Sequence, residues 1–350
     1  MTTRPTSQPT VGTSWWSYGF VVILLHVLGV SGILLSLRHN LNLTGLAFVA
    51  YTLGLRHAFD ADHIAAIDNT VRNLLQRQRP SSGVGFYFSL GHSSVVFALT
   101  IATAVSVDFV RMHMPGLEHF GSLLGTAISA AFLVFIGILN AGALRNLIHV
   151  RKSMRENSRE QDALIEGILQ SRGFVSRWLG PLFRLIRHSW QAYPLGFLFG
   201  LGFDTASEIA LLVLSATAAK AGLPVFSILS LPLLFAAGMS LMDTLDGVFM
   251  TLAYGWADKS GRTRLRYNLA VTALSVAAAF VIGLAEFYQL LSSKLPVRGL
   301  MAWFQHTGLH WAGYVLVGVF LLSWVFSFVR SRLKNPRPCP AGSHDTGPSQ

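Results

Sequence analysis

Cysteine is almost absent from this 350-residue chain, and its single copy, Cys339, stands near the C-terminal end. One thiol excludes a disulfide framework and a thiolate cluster, so any metal site has to use nitrogen and oxygen ligands. Charge is scarce too. Asp, Glu, Lys and Arg make up 12% of the residues and apolar types 52%, whereas soluble domains carry about 25% charged residues. A chain with so few groups for water turns much of its surface to lipid. The net charge of +11 does not point to nucleic acid, because the basic residues fall in the gaps between apolar runs, as juxtamembrane Lys and Arg do. Two catalytic motifs are missing. There is no GxxxxGK[ST] phosphate loop, so the chain carries no ATPase of its own, and there is no HExxH pair of a metallohydrolase.

What is present is a series of apolar segments near the roughly 20 residues that a helix needs to cross hydrocarbon. Eight qualify, at about 17–37, 43–66, 84–107, 122–144, 193–216, 225–254, 268–291 and 309–329. The first is as long as a full span and lacks a small-residue cleavage site, so it reads as a retained helix rather than a signal peptide. The expected fold class is all-α: a polytopic membrane protein with about eight transmembrane helices. The expected organisation is a disordered cytoplasmic tail at 1–14, helices one to four over 15–144, a cytoplasmic loop at 145–192, helices five to eight over 193–329 and a second cytoplasmic tail at 330–350. Within the loop, Met154 to Leu169 has the pattern of a surface helix. With the N-terminus inside, 21 Lys and Arg fall on the cytoplasmic side, Arg72 among them as a loop residue, and 5 on the other. That bias predicts both termini in the cytoplasm. Only Arg56 is left inside a span.

Acidic residues lie where charge is expensive. Of sixteen Asp and Glu, Asp60, Asp62, Asp68, Asp204, Glu208, Asp243, Asp246 and Glu286 fall in or at the edge of spans. Each costs at least about 2.5 kcal/mol at the bilayer centre. Asp68 and Glu286 lie nearer span ends and are expected to reach water. The rest outnumber Arg56, and the excess negative charge calls for a mobile cation. The densest cluster is Arg56-His57-Ala58-Phe59-Asp60-Ala61-Asp62-His63. At about 100° per residue, His57, Asp60 and His63 share one side of a helix. Arg56 and Asp60 are four apart and able to pair. Asp62 points elsewhere, which predicts either a distorted helix or Asp62 outside the ligand set. Imidazole with carboxylate suits Ni, Co, Zn, Mn or Fe; a proton relay is the rival use of the same residues. Three further clusters follow: Gly91-His92-Ser93-Ser94, then Phe203-Asp204-Thr205-Ala206-Ser207-Glu208, then Met242-Asp243-Thr244-Leu245-Asp246. His92, taken alone, reads as structural.

The clusters hint at duplication. Phe59-Asp60-Ala61-Asp62-His63-Ile64-Ala65 resembles Phe203 to Ala210 with one gap, and Phe88-x-x-Gly91-x-Ser93 matches Phe235-x-x-Gly238-x-Ser240. Under the predicted topology the matched spans, 2-3 and 5-6, run in opposite directions. That is the pattern of an inverted repeat, which in secondary transporters puts the substrate site at the repeat interface.

These four clusters together resemble the signatures of the nickel/cobalt transporter (NiCoT) family of single-component permeases. His57, four residues, then Asp62-His63 is similar to that family's second-span motif; Phe88 to Val96, Leu201 to Glu208 and Gly238 to Asp246 are similar to its other three. Order and layout agree over nearly the whole chain. The resemblance implies high-affinity uptake of Ni²⁺ or Co²⁺ across the bacterial cytoplasmic (inner) membrane, with His57, Asp62 and His63 as the core metal-binding group and Asp60 and His92 beside them. Arg56, Ser93, Asp204, Glu208, Asp243 and Asp246 are expected to support the site. The ion is substrate, so no cofactor, no nucleic acid and no obligatory ATPase subunit is expected, and the partners are the divalent ion and the lipid bilayer. The related efflux branch has a His-rich cytoplasmic loop; here residues 145–192 hold only His149 and His188, which favours uptake. The alternatives are an efflux permease, an intramembrane metalloenzyme and a proton-coupled carrier for an organic ion. The scattered single His residues and the missing HExxH weigh against an enzyme.

Overall fold

In hydrocarbon every backbone N–H and C=O has to find its partner within the protein, and a helix provides that segment by segment. The computed structural model describes residues 14–36, 43–105, 107–156, 186–202, 206–256, 261–292 and 310–334. Among the described residues all regular structure is helical. The elements are α1 (Ser14–Ser36), α2 (Leu43–His57), α3 (Ala61–Gln76), α4 (Val84–Val105), α5 (Val107–Glu156), a 3₁₀ turn at Ser189–Gln191, α6 (Ala192–Gly200), α7 (Ala206–Lys220), α8 (Val225–Trp256), α9 (Gly261–Ser292) and α10 (His310–Lys334). Helices α1, α4, α5, α8 and α9 are long and apolar enough to cross a membrane, and α10 holds a shorter apolar stretch at Ala312–Ser323. The chain is a polytopic membrane protein. Its outer face is apolar: α1 leaves Phe20, Ile23, Leu24, Val27, Leu28, Leu34 and Leu35 exposed, a surface that water would not tolerate and lipid does.

Two expected spans depart from a continuous helix. The second is broken: α2 ends at His57, residues Ala58 to Asp60 leave the helix, and α3 resumes at Ala61. The fifth is broken at the matching place, between Gly200 and Ala206, with Phe203 to Thr205 outside the described residues. Neither break contains proline. The first is sealed by tight turns, Phe59 N–H to the Arg56 carbonyl (3.0 Å) and Asp60 N–H to the His57 carbonyl (2.9 Å). It is also covered by α10, where Gly313 lies against the Phe59 carbonyl so closely that a Cβ would overlap it, and where Tyr314 stacks on Phe59 at 5.1 Å. Helix α3 then runs on to Gln76, so Asp68 and Arg72 are not at a span end and in a loop, as the sequence suggests, but buried at 0% and 5% exposure. The helical period simply continues beyond the apolar window. Helix α5 continues to Glu156, into the segment expected as the loop at 145–192; most of the expected surface helix from Met154 to Leu169 lies outside the described residues, as do residues 1–13 and 335–350.

The repeat is visible in how helices touch. A Cβ on Gly54 of α2 would run into the Phe235 carbonyl of α8, and one on Gly196 of α6 into the Phe88 carbonyl of α4. In the same pairs, a Cβ on Gly238 would come within 2.8 Å of the Tyr51 carbonyl, and one on Gly91 would overlap the Tyr193 carbonyl. Each contact therefore has a mirror: Tyr51-x-x-Gly54 on Phe235-x-x-Gly238, and Tyr193-x-x-Gly196 on Phe88-x-x-Gly91. Between the halves, α4 and α8 run antiparallel, with Ser81 on Thr251 (2.9 Å) at one end and Ser89 on Ser240 (3.0 Å) further along. Two antiparallel helices carrying the same pattern are related by a two-fold perpendicular to their axes, which is an inverted repeat. Replacing either glycine of a mirrored pair forces two backbones apart. We expect Gly54→Leu and Gly196→Leu each to cost about 1–3 kcal/mol or more, seen as a lower Tm of the detergent-purified protein. Gly45→Leu, at a position with nothing within 4 Å, should leave Tm unchanged.

Candidate metal site

The break in the second span is what aims the site. His57 is the last residue of α2, at the helix end whose exposed carbonyls favour positive charge. His63 sits in the first turn of α3 and His92 in α4. All three side chains are buried, at 1%, 1% and 2% exposure, and one ring nitrogen of each lies within 4.8 Å of the others. The ring centroids are 4.6 Å (His57–His63), 4.7 Å (His57–His92) and 4.9 Å (His63–His92) apart. Nε2 of His57 and Nε2 of His92 approach to 2.9 Å. Two nitrogens each about 2.1 Å from a shared ion at a right angle stand about 3.0 Å apart, so this pair already has the spacing of adjacent ligands.

Carboxylates surround the imidazoles. Glu208, in the first turn of α7, places Oε1 2.7 Å from His92 Nε2 and 3.9 Å from His57 Nε2. Asp60 accepts from His57 Nδ1 at 2.9 Å. Asp60 is the N-cap of α3 but makes no side-chain cap bond. An N-cap Asp normally contributes about 1 kcal/mol to its helix; here the carboxylate is turned instead to fix the imidazole, leaving His57 Nε2 to face the cluster. Asp243 of α8 holds Oδ2 3.8 Å from His63 Nδ1. Neither oxygen of Asp243, nor Nδ1 of His63 or His92, has a hydrogen-bond partner among the described residues. Buried polar atoms left unpaired cost about 1–3 kcal/mol each, and a cation between them would remove that cost.

The remaining expected residues fall as follows. Arg56 does not pair with Asp60: α2 stops one residue later, the four-residue spacing no longer superimposes them, and Arg56 donates instead to the Ser207 hydroxyl at 2.9 Å. That bond ties α2 to the start of α7 across the two halves. Ser93 lies beside the Met239 sulfur at 4.0 Å. Asp62 is half-buried in the first turn of α3, beside His63 but not in the imidazole triad. Asp246 is half-buried one turn beyond Asp243, and Asp204 lies outside the described residues. His92, structural if taken alone but expected beside the core group, joins the triad. Sequence reading missed a second polar network: Arg72 donates to Thr272 (2.5 Å), Ser275 (2.8 Å) and the Tyr254 hydroxyl, which in turn donates to Asp68. The four-residue spacing of Asp68 and Arg72 was its available signal.

Three buried imidazoles from the first half, faced by the carboxylates of Glu208 and Asp243 from the second, make a donor set that suits a divalent metal ion inside a membrane protein. The model of the NicO family, described as high-affinity nickel-transport protein, matches residues 43–330. The chain belongs to that family. It is 51% identical to the nickel transporter NixA of Staphylococcus aureus over 90% of this chain and 93% of the relative. It is 48% identical to the high-affinity nickel-transport protein NixA of Helicobacter pylori, covering 91% and 97% of the two chains. It is 40% identical to the cobalt transport protein NhlF of Rhodococcus rhodochrous, covering 90% and 92%. No solved structure matches significantly.

Proposed function

We propose that this chain takes up Ni²⁺ or Co²⁺ across the bacterial cytoplasmic membrane, with both termini in the cytoplasm, helices one to four and five to eight forming the two halves of the carrier and no ATPase subunit. The observation that carries this reading is the triad of His57, His63 and His92, buried within 4.8 Å of one another at the meeting of two inverted halves. In this reading the ion sheds water onto the three imidazoles, with Glu208 as the carboxylate that compensates its charge. Asp60 orients His57, and Asp62 acts as an outer ligand during loading. Arg56 and Ser207 keep the two broken spans in register, so that the halves move about the site rather than pulling it apart. Nitrogen ligands select the later first-row divalent ions over Mg²⁺ and Ca²⁺, and the absence of a thiolate keeps the site from trapping its cargo.

The driving force needs no nucleotide. A divalent ion gains about 4.6 kcal/mol per 100 mV on moving to the negative side, which sustains roughly a thousandfold accumulation. The relatives named as nickel and cobalt transporters support carriage of the ion over an enzyme reading.

Uptake of radioactive Ni²⁺ by cells expressing the protein tests the reading. His57→Ala should abolish uptake while membrane insertion is retained; uptake at the wild-type rate would sink the assignment. Asp60→Asn keeps a hydrogen-bonding group but removes the charge that orients His57, and should weaken Ni²⁺ binding about 10–100-fold, the usual cost of losing an outer partner of a ligating histidine. Calorimetry on purified protein reads that difference directly.

A further inference from the structure

The imidazole triad is not the end of the buried charge. Following α3 and α8 away from it, with residue numbers rising on both, three carboxylates come in succession. Asp243 stands 3.8 Å from His63, is 1% exposed, and has no hydrogen-bond partner for either oxygen among the described residues. Asp246 lies one turn further on the same face of α8, with a buried Oδ2 that also lacks a partner. Asp68 of α3 is 0% exposed; its Oδ1 accepts from Tyr254 and its Oδ2 has no partner. Asp243 and Asp246 share a face of α8, and Asp68 is tied to the same helix through the Tyr254 hydroxyl. Among the described residues the guanidinium beside them is that of Arg72, 3.9 Å from Asp68 and held over the Tyr254 ring at 4.2 Å.

The repeat shows that packing does not require these acids. The register that superimposes Phe88 and Gly91 on Phe235 and Gly238 puts Val96 and Leu99 opposite Asp243 and Asp246. The register that superimposes Ile64 and Ala65 on Ile209 and Ala210 puts Val213 and Thr217 opposite Asp68 and Arg72. The glycines and aromatic residues that build the fold are mirrored, while the carboxylates stand on one side only. Three carboxylates against one guanidinium leave an excess of negative charge where desolvation makes charge costly, together with oxygens that no donor among the described residues satisfies.

We propose that Asp243, Asp246 and Asp68 form a second, all-oxygen subsite for the divalent cation, closed at rest by Arg72, through which the ion passes after leaving the histidine triad. It deepens the uptake reading and rests on it for direction: with both termini inside, rising residue numbers on α3 and α8 lead to the cytoplasm. Oxygen ligands hold late first-row ions less firmly than imidazole does, and a pathway conducts when successive sites bind well enough to accept an ion and loosely enough to release it. Arg72 cannot lose its proton, so it acts as a tethered cation that gives way when the mobile one arrives.

Titrating purified full-length protein with Ni²⁺, and separately with the oxygen-preferring Mn²⁺, tests this. The wild type should bind two Ni²⁺ per chain, one tightly and one weakly, and one Mn²⁺. Asp246→Asn and Asp68→Asn should keep the tight Ni²⁺ site within about threefold, lose the weak site and the Mn²⁺ site, and lower uptake turnover on the order of tenfold with little change in KM. Arg72→Gln should tighten the Mn²⁺ site roughly tenfold by removing the competing charge, the opposite of what losing a purely structural ion pair would do. Should Asp68→Asn fail to fold, Asp246→Asn, which breaks no hydrogen bond seen in the structure, decides the matter. A wild type that binds one Ni²⁺ and no Mn²⁺, an Asp246→Asn protein that still binds both ions, or an unaltered Mn²⁺ site in Arg72→Gln would overturn the subsite and leave the triad standing. A tight Ni²⁺ site that survives His57→Ala would instead overturn the triad and leave the carboxylate subsite to be read from Mn²⁺.

Discussion

A helix cannot stop inside hydrocarbon unless its loose backbone groups are satisfied elsewhere, and this fold depends on how that constraint is met between His57 and Ala61. Tight turns close the Arg56 and His57 carbonyls, and Gly313 brings α10 directly onto the Phe59 carbonyl. With the backbone sealed, α2 presents its last side chain and α3 its first turn to the same point. An unbroken helix would stack His57 and His63 along its length and fix their separation by its rise. The interruption lets the two rings come to 4.6 Å and lets Asp60, freed from capping, hold one of them. Local helix stability is given up at the point where the chain needs convergent ligands, which is the usual place for such a concession.

Much of this was legible in the sequence. Lipid exposure followed from scarce charge, the helical class from run lengths, and the two halves from two short matches, Phe59 against Phe203 and Phe88 against Phe235. Angles alone left two outcomes for Asp62, a distorted helix or a place outside the ligand set; the structure has the break, and Asp62 stands apart from the imidazole triad. What could not be read was which side chain meets which after the break. Arg56 was expected to reach Asp60 by helical spacing, and that spacing ends with α2. His92 read as structural only when taken alone, and entered the expected site through the other clusters, because a lone histidine gives no sign of its partners 35 and 116 residues away. Arg72 and Asp68 were misplaced for a different reason: hydropathy marks where apolar residues end, while α3 continues its hydrogen-bonding through a polar stretch that other helices cover.

The two-fold relation explains both the economy and the bias of the molecule. Its mirrored glycines let α2 pack on α8 and α6 on α4 at backbone distance, which places all four clusters around one centre. Where the halves differ, they differ in chemistry. The first half supplies the imidazoles of His57, His63 and His92 with Asp60 beside them, and the second brings only carboxylates, Glu208 and Asp243, up to those rings. A symmetric scaffold allows the halves to rock about a fixed site, and an asymmetric distribution of charge gives the ion a direction in which to leave.

The central claim is that imidazole nitrogen holds the ion. X-ray absorption at the nickel edge on the purified, Ni²⁺-loaded protein reads that shell directly. The account predicts three imidazole scatterers completed by oxygen, with no sulfur. A shell of oxygen alone, or one containing sulfur from a methionine such as Met239, would contradict it.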